Sequence, residues 1–284
     1  MQKLRNLKLP FRETLQSYLT NILQNKRIQD MQQNMELKEL EWWSNQRNDM
    51  SGQPLLAFPS MEPYIIRTSE FRTWLLHRYL IPMEFAGLCC DCSNKPSLDP
   101  YGLHLSCGCN KNDARTHLHD SIVLQLQSLI KYAGYWTTLE EKHMFINDNQ
   151  NKQNRPDITI NNPINLNYGT SNNPVSKVII DVSFTCVLDG VKDGKIKSAN
   201  TRNNALKQGT KAQIRNKEKL THYKNLINAL PREWNPPKYW IVPFVIQTTG
   251  FLHKSSMELL EKMVESATNI QKIRGINMLA YFKR

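Results

Sequence analysis

The chain has 284 residues and carries 37 Lys and Arg against 25 Asp and Glu, a net charge of +12, with 40% hydrophobic residues. That is enough apolar material for one large core or two small ones. So basic a balance argues against a small-molecule enzyme and for a polyanionic partner, of which nucleic acid is the commonest.

Met1 to Phe11 contains no apolar signal core, and no run approaches a membrane span. The expectation is an intracellular protein with reduced thiols and no membrane partner. Leu15, Leu19, Ile22 and Leu23, then Met31, Met35 and Leu40, recur at helical spacing and predict helices through residues 12–50, with Trp42 and Trp43 following. Packing on a neighbour is the plainest role for them. Ser51-Gly52-Gln53-Pro54 breaks the pattern. Ser69 is placed to cap a further helix through Phe71, Trp74, Leu75 and Arg78 to Tyr79, which Pro82 ends.

Five of the six cysteines then fall between Cys89 and Cys109. In a reducing compartment such clustering points to metal rather than disulfides. Cys89 and Cys92 have the spacing of a hairpin that offers two thiolates to one tetrahedral zinc ion, and His104 with either Cys107 or Cys109 completes four ligands. Asp99-Pro100-Tyr101-Gly102 supplies the turn between the halves. Thr116 to Ala133 is an amphipathic helix with Ile122, Leu126, Leu129, Ile130 and Ala133 on one face, stopped by Gly134. His117 and His119 lie in its first turn, as further candidate ligands or simply polar surface. Tyr135 to Phe145 is strand-like and carries Glu140 and Glu141.

The informative stretch comes next. Asp157 opens a short alternating run, Ile158-Thr159-Ile160, and Asp181 sits inside a second one, Val178 to Phe184. A carboxylate inside an apolar strand needs a cationic partner, and two on adjacent strands are most simply met by a divalent ion. The Asn-, Pro- and Gly-containing stretch from Asn161 to Pro174 is a loop that would bring these strands side by side. Lys195 to Leu230 is then mostly helical and basic, with Lys207, Lys211, Arg215, Lys217, Lys219 and Lys224. Lys219 and Tyr223 share a helix face. Tyr239 to Thr248 is a strand that Pro243 demotes toward an edge. Ser255-x-x-Glu258 reads as a capping box for a last helix through Leu259, Met263, Val264 and Ala267. The order helix, strand, strand, strand, helix, strand, helix suits a mixed α+β fold with a small mixed sheet flanked by helices. In it, Asp157 and Asp181 could hold Mg²⁺, with Glu140 completing the shell and Lys219 beside the phosphate.

These motifs together resemble the C-terminal part of reverse transcriptases from site-specific non-LTR retrotransposons, in which a zinc knuckle precedes a restriction-like endonuclease of the PD-(D/E)XK superfamily. The knuckle is matched from Leu98-Asp99-Pro100-Tyr101-Gly102 to His104 and Cys107. His119-Asp120 resembles the step that opens the family's next helix, and Gly134 followed by Glu140 the spacing of its first acidic residue. Arg155-Pro156-Asp157 matches its (Arg/Lys)-Pro-Asp motif, Asp181-Val182-Ser183 its second acidic strand, and Lys219-x3-Tyr223 its displaced lysine helix. Ile241-Val242-Pro243-Phe244, running on to Thr249-Gly250, is similar to the strand that follows. The similarity spans roughly residues 50–270. It departs in a longer Asp157–Asp181 gap and in Ser183 standing where the superfamily has a lysine.

The resemblance implies a division into a helical region (1–84), a zinc knuckle (85–115) and an endonuclease domain (116–284). It further implies a nuclear location, structural Zn²⁺ and catalytic Mg²⁺. Partners would be target DNA, element RNA and a separate reverse transcriptase, since none precedes these motifs; the chain would be a detached, truncated or domesticated element product. Asp157, Asp181, Lys219, Glu140 and Tyr223 would be catalytic, and Arg155, Lys207, Lys211, Arg215, Lys217 and Lys224 would contact DNA. Two other readings stay open: a non-catalytic nucleic-acid-binding module of the same fold, and a zinc-stabilised interaction domain.

Overall fold

The structure is a computed structural model that describes residues 15–47, 67–92, 97–105, 109, 114–141, 145, 155–163, 166, 169–170, 173–188, 191–192, 195–196, 199–230 and 239–274. It is mixed α/β, with a four-stranded mixed sheet flanked by helices. The sheet is built from β1 (Trp136–Leu139), β2 (Ile158–Asn161), β5 (Lys177–Thr185) and β8 (Tyr239–Gln247), in that spatial order. β1 pairs antiparallel with β2, β2 antiparallel with β5, and β5 parallel with β8. Two-residue pairs, β3 (Gly169–Thr170) with β4 (Asn173–Pro174) and β6 (Val191–Lys192) with β7 (Lys195–Ile196), decorate the loops on either side of β5. The expected Asn-rich connection therefore does set β2 beside β5.

Seven helices are described: α1 (Leu15–Asn34), α2 (Leu37–Gln46), α3 (Thr68–Arg78), α4 (Ala114–Tyr132), α5 (Arg202–Ala205), α6 (Thr210–Asn228) and α7 (Lys254–Arg274). Among the described residues no helix is long and apolar enough to cross a membrane. The parallel β5–β8 pair needs a crossover, and α6 supplies it. One sheet face buries Ile158, Ile160, Val178, Ile180, Val242 and Phe244 against α4 (Val123, Leu126, Ile130) and α7 (Leu259, Met263, Ala267). The other packs Ile179 and Ile241 against Tyr223, Leu226 and Ile227 of α6, with Phe145. With helices on both faces, β5 is a nearly continuous apolar run, which makes Asp181 and Ser183 conspicuous within it. β8 lies at the sheet edge, where Pro243 does no harm to the ladder.

α2 ties the N-terminal helices to the rest. Trp42 Nε1 donates to Arg78 O (2.9 Å), Ser44 Oγ to Ala205 O (2.5 Å), and Asn45 Oδ1 accepts from Gly209 N (2.8 Å). Gly209 starts α6 with φ +69, and a Cβ there would sit 2.4 Å from the Phe251 ring, so glycine is required twice over.

Several local expectations are corrected. α3 is opened by Arg67, whose N–H is held by Glu70 (3.1 Å); Ser69 is already inside the helix. Ser255 also lies inside its helix, where its hydroxyl donates to Pro243 O (2.9 Å) and ties α7 to β8 instead of capping. Glu140 and Glu141 follow β1 instead of lying in it, and α6 begins only at Thr210, after Lys207.

Candidate functional site

Strand register assembles the acidic residues. The β1–β2 ladder ends at Leu139↔Ile158, and continuing it sets Glu140 opposite Asp157, whose carbonyl accepts the Glu140 N–H at 3.1 Å. The β2–β5 ladder ends at Ile158↔Ile180, and continuing it sets Asp157 opposite Asp181. Three residues separated by long loops thus stand abreast. Glu140 leaves its strand through φ +41, a strained conformation for a residue with a Cβ, and its carboxylate turns to Arg155 at 3.6 Å. Glu141 pairs instead with Lys177, outside the row.

Each aspartate has its own cation. Lys219 Nζ donates to Asp181 Oδ2 at 2.9 Å, and both groups are largely buried. His119, from the second turn of α4, donates Nε2–H to Asp157 Oδ2 at 3.2 Å while its Nδ1 faces Asp120 at 3.0 Å. The bond to Asp157 is the chief cause that pushes its pKa up to about 9, so the ring is an imidazolium at neutral pH. Val182 N donates to the same Asp157 oxygen at 2.6 Å. The other Asp157 oxygen takes no hydrogen bond among the described residues. Tyr223, one turn beyond Lys219, is buried and donates its hydroxyl to Arg155 O at 3.4 Å. Burial first, then the neighbouring Asp181 charge, raises its pKa above the ordinary tyrosine value, so it stays protonated.

The basic residues divide by helical phase. Lys211, Arg215 and Lys219 recur every four residues along one half-buried flank of α6 that leads to Asp181. Lys217 and Lys224, seven apart, share the fully exposed face. Lys207 precedes the helix and holds Asn204 Oδ1 at 3.0 Å. Arg155 is exposed, and Arg215 is shared with Glu218 at 3.1 Å.

A second cluster draws on none of the sheet residues. Side-chain ligand atoms of Cys90, Cys92, His104 and Cys109 all fall within 4.8 Å of one another and could hold a metal ion such as zinc. The separations Cys90 Sγ to Cys109 Sγ and Cys92 Sγ to His104 Nε2 are both 3.6 Å. Zinc bonds of about 2.3 Å to sulfur and 2.0–2.1 Å to nitrogen imply tetrahedron edges of roughly 3.8 and 3.5 Å, so the donor set fits that ion. The expected Cys89 is replaced by Cys90: Cys89 is exposed and forms a backbone bridge to Ser97. Residues two apart in an extended chain point the same way, so Cys90 and Cys92 converge. Cys109 is the fourth ligand candidate, its N–H on His104 O at 2.7 Å, and Cys107 lies outside the described residues. Buried Asp99 organises the expected turn by accepting the N–H groups of Tyr101 (3.0 Å), Leu103 (3.0 Å) and His104 (2.8 Å). Leu103 anchors it against Trp42, Val187 and Leu188.

Sequence reasoning put Asp157, Asp181, Lys219 and Tyr223 together, and the structure does the same. It missed His119 as a partner of Asp157, 38 residues away, because nothing in local spacing links a helix turn to a distant strand. Neither His117 nor His119 belongs to the Cys/His cluster. No protein-family model matches the chain, and no curated protein matches it either.

Proposed function

We propose that the chain is a metal-dependent DNA endonuclease, the restriction-like domain of a non-LTR retrotransposon reverse transcriptase that nicks target DNA for insertion, with a structural zinc in its Cys/His cluster. The observation that carries this reading is the register that sets Glu140, just past β1, and Asp157, just before β2, abreast of Asp181 in β5, with Lys219 on Asp181. Asp157 and Asp181 would hold Mg²⁺, and Glu140, abreast of them in register, would complete the set; the ion would supply an activated water and relief of charge on the phosphate. Asp157 is aimed by Val182 N–H and His119. Lys219 keeps a positive charge beside Asp181, where it stabilises the charge that develops on the scissile phosphate. Tyr223 packs under this lysine and supplies a hydroxyl that remains protonated. The flank Lys211–Arg215 and the +12 charge support DNA as the substrate.

One observation favours a second reading, a binding module that has lost cleavage: each aspartate already pairs with a cationic side chain, Asp157 with His119 and Asp181 with Lys219. Nicking of supercoiled plasmid decides between them. The endonuclease requires Mg²⁺-dependent nicking that Asp181→Ala abolishes. Wild-type protein that binds DNA but does not nick it with Mg²⁺ leaves the binding module, and nicking that Asp181→Ala leaves unchanged puts the site elsewhere.

A further inference from the structure

β2 covers β5 only as far as the Ile158↔Ile180 pair, so among the described residues the edge of β5 from Val182 to Phe184 has no strand beside it. Asp157 takes the Val182 N–H on that edge. Strand N–H groups alternate, so the next one on the same edge belongs to Phe184. A cleft of about 250 Å³ opens here, lined by Thr116, His119, Val182, Ser183, Phe184 and Arg215, with no acidic side chain among them. Ser183 is only 6% exposed, and its hydroxyl has no hydrogen-bond partner among the described residues. A buried hydroxyl left unpaired is costly, and here it faces a cleft. The first turn of α4, which contains Thr116, has no acidic residue; its N–H groups lack intrahelical partners and carry partial positive charge. Thr116 in the first turn of α4, the buried Ser183 hydroxyl and the Arg215 guanidinium, which also meets Glu218 at 3.1 Å, all line the cleft, a set of donors that suits an oxyanion rather than a cation.

We propose that this cleft is a phosphate subsite in which Ser183 Oγ and Arg215 hold the phosphate next to the one facing Asp157, Asp181 and Lys219. The assignment of a neighbouring phosphate rests on the endonuclease reading; anion binding in the cleft does not. Ser183 follows Asp181 by two residues on the same face of β5, about 6.7 Å along the strand. That displacement is of the order of one nucleotide step along a nucleic-acid backbone. Such a subsite would make the site select a polynucleotide over an isolated phosphate ester.

The test titrates inorganic phosphate into ¹⁵N-labelled full chain without divalent metal and follows amide shifts. Thr116, Ser183 and Phe184 should shift saturably, and Ser183→Ala and Arg215→Gln should each weaken phosphate by about fivefold to tenfold, as expected for one lost hydrogen bond. Ser183→Ala removes an unpaired hydroxyl, so its melting temperature should not fall. Shifts that both variants leave unchanged overturn the subsite, whatever the plasmid assay shows. In that assay Ser183→Ala should raise the half-saturating DNA concentration by a similar factor and leave the saturated rate in place. A lower saturated rate with unchanged half-saturation overturns the neighbouring-phosphate assignment. Phosphate binding as described in a protein that never nicks would instead retain the subsite and sink the endonuclease reading.

Discussion

The Cys/His cluster, which could hold a metal ion, and the aspartate row, for which we propose one, are built differently. In the cluster, four ligand atoms converge on a loop segment in which, among the described residues, Met83, Cys92, Asp99, Gly102 and Leu103 are buried. In the row, the aspartates sit on or beside core strands that helices cover on both faces, and each is already met by Lys219 or His119. On the proposed reading, the contrast separates an ion that would serve folding from one that would serve chemistry. Zinc should hold residues near the cluster in place, while the sheet keeps its form with or without magnesium.

The largest expected effect tests the first half of that contrast. Structural zinc binding contributes on the order of 10 kcal/mol. Cys92→Ser should therefore lose the bound zinc, about one per chain, and with it hydrogen-exchange protection through residues 83–92 and 97–105. The sheet strands should keep theirs, and metal analysis with exchange mapping checks both. Protection lost equally in β5 would mean that the two regions form one cooperative unit.

A smaller loss tests the second half. Asp181 is 5% exposed, and removing its cation leaves a nearly buried charge unpaired. Lys219→Ala should cost about 3 kcal/mol in urea unfolding with chelator present. Millimolar Mg²⁺ should restore part of that loss, because the ion can take over the missing charge. A variant as stable as wild type would show that the Lys219–Asp181 pair does not contribute to stability.

The pH dependence of His119 is subtler. Its pKa is raised from the usual 6.5 to about 9 in the fold. The stabilisation is therefore fully present below about pH 6.5 and is lost as pH rises through about 9. Unfolding midpoints of wild type and His119→Gln should differ most near pH 6 and converge by pH 10. A difference that grows with pH would contradict the pairing with Asp157. Least of all should change in Lys224→Ala, an exposed site on the outer face of α6, where a shift within about 0.5 kcal/mol is expected.

Much of this architecture was legible in the chain, and the rest was hidden for identifiable reasons. β5 announces itself through Val178-Ile179-Ile180, and Asp181 stands out because strands covered on both faces rarely carry a carboxylate. Lys219 and Tyr223 were legible because helical phase is local. Cys90 displaced Cys89 through a bridge to Ser97 that spacing alone does not reveal. The bond from Ser44 to Ala205 and that from His119 to Asp157 join residues 161 and 38 positions apart, and no periodic pattern encodes such pairs. Ser69 and Ser255 both carry good capping chemistry, yet their helices start earlier, Ser255 being spent on tying α7 to β8.

The central claim, that the carboxylate row with Lys219 cleaves DNA, is tested most directly by single-turnover plasmid nicking at saturating DNA and Mg²⁺. Lys219→Ala, Lys217→Ala and Lys224→Ala would be compared with wild type. Lys219 meets Asp181 at 2.9 Å, whereas Lys217 and Lys224 lie on the solvent face of the same helix. Loss of a charge that stabilises the transition state should slow Lys219→Ala by about a hundredfold, roughly 3 kcal/mol, with the other two variants within about twofold of wild type. Equal and small losses in all three would show that the row is not the cleavage site.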